Sequence, residues 1–280
     1  MSRGRTSAWA GQFYPADSIK LEALIANYLA DKSGLQTGPV LGLIAPHAGF
    51  EFSGQTAASA YRQIASKKFD TIIVLAPSHA EAFPGVSIFS GDYYETPLGR
   101  ISVDHQLAGL VQEGNEIIHV SEFGHRTDGH RAEHSLEVQL PFLQVVLDDF
   151  EILPIVFHDY SVAVCQHLGL SLSRALREKK CLIVASSDLY HGYSYKECME
   201  IDTTTIKSIE ADAPESFLEA IQDQVAQACG AGPIAALQFA ARAMGNYHTR
   251  CIDRANSADI TGQYSGWTVG YASFVVAKDS

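Results

Sequence analysis

The chain is poor in several things that would have settled its class at once. It has no cluster of Lys and Arg, and its 20 basic residues are outnumbered by 32 acidic ones, for a formal net charge of −12. That balance argues against nucleic acid or an anionic membrane as the main partner. Cysteine is scarce, with five residues, an odd number, at scattered spacing and no C-x-x-C, which points to a reducing compartment rather than a disulfide framework. No apolar run approaches the roughly 20 residues of a membrane helix, and "MSRGRTSAWAGQFYPADS" has no apolar signal core. The expectation is a soluble cytoplasmic protein with no membrane or nucleic-acid partner. Repeats, low-complexity tracts, linkers and the H-E-x-x-H metal motif are also missing.

What is present is alternation. Short apolar, β-branched runs read as buried strands: "VLGLIAP" from Val40, "TIIVLAP" from Thr71, "FEILPIVF" from Phe150 and "KCLIVASS" from Lys180. Between them lie segments with helical spacing, from Ser18, Gly54, Glu133 and Val162, followed by helical stretches from Tyr195, Pro214 and Gly232. "GVSIFSGDYYETPLGRISV" predicts an excursion of one or two short antiparallel strands, and "WTVGYASFVVA" from Trp267 a strand returning to the sheet. This pattern predicts an α/β fold of three layers, α/β/α, with a mainly parallel or mixed central sheet and helices on both faces. Parallel strands buried on both faces read as continuous apolar runs. At 280 residues the chain is long enough for a sizeable core without staples.

The ends of those runs carry the chemistry. Ala-Pro then a histidine occurs twice, at His47 and, one residue later, at His79; His158 and Asp159 follow the third run, Asp188 and His191 the fourth. The carboxyl ends of parallel strands share one edge, where ligands bind. Residues far apart in sequence then converge, and neutral imidazoles suggest a metal. Pro46 enforces an extended approach to His47, Gly49 permits a turn, and a helix is expected to begin at Ser53 and Gly54 with its positive end toward an anion. For His158 the structural reading leads. Asp188 reads either as a cap or as a site residue.

"HRTDGHRAEHSLEVQLP" supplies His125, His130, His134, Glu133 and Glu137. A zinc pair from His130 and His134 is one reading. The preferred one brings His134 into the pocket from a helix start, with Glu137 orienting a neighbour. Cys165, Cys181 and Cys198 look like core residues. Cys229, in the Gly-rich turn "QACGAGPIAAL", is the reactive candidate, since a helix N-terminus lowers a thiol pKa.

With these residues in view, the chain resembles the Memo family, also described as AmmeMemoRadiSam system protein B. The likeness runs through "WAGQFYP", "PHAGFEFSG", "PSHA", "TPLG", "EHSLEVQLPFLQ", "SSDLYHG" and "CGAGPI" in family order, and makes residues 1–280 a single Memo-like domain. The resemblance implies a fold like that of class III extradiol dioxygenases, a metal triad of His47, His79 and Cys229, and further pocket residues Asp188, His191 and His134 as acid–base groups. It implies an Fe or Cu ion, with Zn possible, because a thiolate replaces the carboxylate of the dioxygenases. It also implies a functional link to radical-SAM and AMMECR-type proteins. The expected function is metal-dependent redox or dioxygenase-like chemistry on an unknown small molecule or peptide. The alternatives are a non-catalytic peptide- or anion-binding module using Phe50, Tyr190 and Tyr193, and a protein that sequesters copper or iron.

Overall fold

The four apolar runs become four adjacent parallel strands in a computed structural model, which describes residues 3–30, 39–127 and 132–278. Val40–Ala45 pairs with Cys181–Ser186, which pairs with Thr71–Pro77, which pairs with Glu151–Phe157. Their side chains alternate between two cores. Ile44, Ile73, Leu75, Leu153, Ile155, Ile183 and Ala185 face one; Leu43, Ala45, Ile72, Val74, Ala76, Ile152, Leu182 and Val184 face the other. Both faces are apolar because helices cover both. Val162–Glu178 and Ala231–Ala243 pack on the first, and Ser18–Leu29, Phe50–Tyr61 and Leu140–Val146 on the second. This is the expected three-layer α/β/α arrangement.

Among the described residues the main sheet has nine strands and is mixed. Ser265–Lys278 returns antiparallel to Val40–Ala45, as its composition predicts, and also pairs antiparallel with His191–Ser194 and Tyr247–Asn256. The excursion splits: Val86–Phe89 joins the main sheet, while Tyr93–Thr96 and Gly99–Ser102 form a hairpin in a second, three-stranded sheet.

Two expectations shift. The helix after "PHAG" begins at Phe50 rather than at Ser53, with Gly49 as its extended N-cap; the apolar Phe50 is buried at once and needs no polar lead-in. The segment from Glu133 is not helical from its start. It makes a 3-10 turn at Glu137–Gln139 before the helix Leu140–Val146, because its first polar side chains bond across the crevice instead of along a helix. No helix among the described residues is long and apolar enough to cross a membrane.

Candidate metal centre

Register places the first pair. Ala45 stands opposite Ser186 in neighbouring parallel strands, so two residues further on His47 meets Asp188. The His47 N–H donates to Asp188 Oδ1 at 2.8 Å, and its ring Nε2 lies 3.9 Å from Asp188 Oδ2. His79 leaves the next strand along the same edge, with ring centroids of His47 and His79 5.3 Å apart. Cys229 arrives from the turn before Ala231–Ala243. It is tied to the strand end by its N–H to Asp188 O (3.2 Å) and by the Asp188 N–H to its Sγ (3.3 Å). Its Sγ is 3.3 Å from His47 Nε2. One ligand atom from each of His47, His79 and Cys229 lies within 4.8 Å of the others.

Hydrogen bonding determines which ring nitrogen is available. Ser186 Oγ donates its single proton to Ser135 O (2.7 Å) and accepts from Gln139 Nε2 (2.7 Å). Its contact with His47 Nδ1 at 2.8 Å is therefore made by an imidazole N–H, and Nε2 carries the lone pair that faces Cys229. The Gln139 amide is oriented by Tyr61, whose hydroxyl donates to Oε1 at 2.6 Å.

His79 is held in the same way by a carboxylate. Its Nδ1 donates to Glu133 Oε1 at 3.0 Å, which leaves Nε2 as the ring nitrogen not engaged by Glu133. Glu133 also accepts the backbone N–H groups of His79, Ala80, His134 and Ser135. Burial works against its charge, but the His79 ring, the neighbouring histidines and these donors outweigh that, and the acid is held down to about 2. Five donors leave the carboxylate no lone pair for a cation. His79, Glu133 and His134 are close enough to hold an ion, yet that grouping is an orienting cluster and not a second metal site. The carboxylate bonded directly to a cluster histidine ring is thus Glu133. Glu137 is fully buried and binds Arg5, Ala8, Trp9 and Tyr14 instead.

The remaining expected residues divide. His134 is buried and closes the cluster, stacked on His79 at 4.9 Å and edge-on to His47 at 5.3 Å. It enters from the loop before the 3-10 turn rather than from a helix start. His191 stands half-buried at the rim, its Nδ1–H bonded to Leu189 O at 2.9 Å. His158 is exposed and sits by Phe83, outside the cluster. His125 is buried elsewhere, its Nδ1 accepting from Tyr94 (2.5 Å) and its Nε2 donating to Ser87 O (3.1 Å). His130 lies outside the described residues. Of the aromatics considered for a binding module, Phe50 and Tyr190 are buried and only Tyr193 is exposed.

The electrostatics correct one expectation. Burial first, and then the charge of Asp188, push the Cys229 thiol up rather than down. Gly230, not Cys229, caps the helix, so the cysteine stands outside its first turn and desolvation dominates. Burial also raises Asp188 to about 7, against the lowering effect of the His47 N–H, and holds His47 well below its ordinary value. Burial thus disfavours the charged form of the His47 ring, and neutral imidazole is the form that binds metal.

Sequence reasoning listed Glu133 without a role and passed over Ser186, Gln139 and Arg5. Ser186 had a usable signal, since it immediately precedes "SDLYH" at a strand end.

A Memo-like protein family model matches residues 5–275. Among curated proteins, the chain is similar to MEMO1 family proteins of several organisms. It is 32% identical over 270 residues to that of Nitrosopumilus maritimus, covering 94% of this chain and 96% of the relative. It is 35% identical over 281 residues to that of Aeropyrum pernix, covering 95% and 97%. It is 33% identical over 297 residues to that of Methanocaldococcus jannaschii, covering 99% and 100%. With a family match over nearly its full length and relatives aligned end to end, this chain belongs to the Memo family.

Proposed function

We propose that the chain holds one iron or copper ion through His47 Nε2, His79 Nε2 and the Cys229 thiolate, and uses it for redox chemistry of a dioxygenase-like kind on a small molecule. The observation that carries this reading is the matched preparation of the two imidazoles. Each has Nδ1–H committed, to Ser186 and to Glu133, and each keeps Nε2 for the space beside Cys229. Metal-ligating histidines are oriented this way by their outer nitrogen. Two imidazoles with a soft thiolate suit copper, iron or zinc, and iron or copper would supply one-electron chemistry and open positions for O₂ or substrate.

The chain's own groups have defined tasks in this reading. Cys229 gives up its thiol proton on binding, which makes affinity rise with pH. Asp188 Oδ2, 3.9 Å from His47 Nε2, is the buried atom that holds or releases a proton, and its position near pH 7 suits general acid–base work. His134 closes the inner wall, and the Nε2 of His191 is the base at the rim. The burial of Phe50 and Tyr190 removes most of the aromatic surface that a peptide-binding module would use.

Metal analysis of protein purified without added metal tests the site: the wild type is expected to carry one ion per chain, and His47→Ala and Cys229→Ala to lose it. Metal content and affinity unchanged in both variants would overturn the triad. Oxygen uptake by the iron- or copper-loaded protein with small phenolic compounds tests the chemistry. Full loading with no uptake would favour a carrier.

A further inference from the structure

The least expected buried group in the molecule is Arg5. It is 4% exposed, and its partner Glu137 is fully buried, with Nη1 and Oε2 2.5 Å apart. A buried ion pair seldom adds net stability over a well-packed apolar pair, so its remaining bonds deserve an account. Arg5 Nε donates to His125 O at 2.9 Å and Nη2 to Glu133 O at 2.5 Å. The guanidinium therefore grips the chain at Glu133 itself. Glu137 in turn gathers the N-terminal strap: it accepts from Ala8 N (3.0 Å), Trp9 N (2.9 Å) and the Tyr14 hydroxyl (2.6 Å). The strap lays Phe13 and Trp9 against His134, with ring centroids at 4.8 and 5.8 Å, and Phe13 O accepts the Phe50 N–H three residues after His47.

Glu133 and His134 precede the 3-10 turn and belong to no strand or helix. Their placement depends on tertiary anchors, and the anchors converge on one pair. We infer that Arg5 and Glu137 are positioning residues for the histidine cluster: Arg5 sets Glu133, and through it His79, while the strap clamped by Glu137 sets the ring of His134. The inference deepens the proposed metal centre and rests on it only for its second readout.

Hydrogen exchange of the metal-free protein is the first readout. The amides of His79, Ala80, His134 and Ser135, all donors to Glu133, are expected to exchange at least tenfold faster in Arg5→Lys and Glu137→Gln. They should be unaffected in Asp104→Asn, which removes a buried partner of Thr71 and Lys179 at the opposite end of the strands. The second readout is Co²⁺ titration followed by the thiolate-to-cobalt absorption. Affinity is expected to fall about tenfold or more in the two site variants and to hold in the control. Wild-type exchange and affinity in folded Arg5→Lys and Glu137→Gln would overturn the inference. Should neither variant fold, the wild type decides: Co²⁺ must slow exchange at the Ala8 and Trp9 amides, because coupling is reciprocal, and no slowing there overturns it. A wild type that takes up no Co²⁺ while the exchange differences stand would sink the metal reading and leave the positioning of Glu133 intact.

Discussion

Ser186 holds three partners on one oxygen, and each depends on the other two. It gives its proton to Ser135 O, accepts from Gln139, and so must accept from His47 Nδ1. Ser186→Ala removes the acceptor that keeps His47 Nε2 unprotonated. Metal affinity is expected to fall by about 10- to 100-fold, with about 1–3 kcal/mol of stability lost to the stranded buried donors; isothermal titration and urea unfolding read the two separately. His125 gives a prediction of a different kind. Burial pushes it down to about 3 from an ordinary 6.5, outweighing its bond to Ser87 O. The unfolded chain then binds a proton below pH 6.5 that the folded chain refuses until about 3. Stability is fully present above 6.5 and falls as pH drops through that window, by up to about 1.4 kcal/mol per pH unit for one proton. Urea midpoints measured from pH 7 to pH 4 should slope less steeply in His125→Gln. Equal slopes would place the titration on another group.

Among the elements, the turn that carries Cys229 is the most constrained. A Cβ on Gly230 would lie 2.2 Å from Ser186 O and 2.6 Å from Ser187 Cβ, so the turn is pressed onto the end of the Cys181–Ser186 strand. Gly230→Ala must lift it, costing about 1–3 kcal/mol and drawing Cys229 away from His47. Metal binding should weaken more than Cys165→Ala would weaken it, although that change hollows the core under Val162–Glu178. The repeated Ala-Pro endings also find their use at this scale. Pro46 O accepts from Gln139 and Pro77 O from Ser135. Both prolines end a ladder and leave a carbonyl for the segment that crosses the crevice.

At the scale of the whole molecule the three proposed ligands come from three separate crossings of the fold, and an ion bound by them would tie those crossings together. Binding to the native state alone should raise stability by about 2.7 kcal/mol at a hundredfold excess over Kd, a gain of several degrees in Tm. A thermal melt with and without metal measures this, and Cys229→Ala should show no gain.

The four parallel strands, their flanking helices and the shared edge were legible in the chain because they rest on local patterns: apolar runs of strand length, helical spacing, and histidines following Ala-Pro, one directly and one a residue later. Both faces of each strand are apolar in Thr71–Pro77 and Cys181–Ser186, which already requires two covering layers. Local pattern could not choose between Glu133 and Glu137, because the segment that carries them follows neither a helical nor a strand period until Leu140. An arginine near the N-terminus, two residues after another, likewise reads as a solvated charge until its burial beside Glu137 is known. The Cys229 thiol was misread for the same reason: proximity to a helix start is visible in sequence, whereas the desolvation that overrides it is not. Side-chain period and turn chemistry act over a few residues and survive in the string of letters. Tautomer, proton affinity and the choice of orienting carboxylate depend on which polar atoms meet after the chain has crossed the sheet, and only the folded molecule decides that.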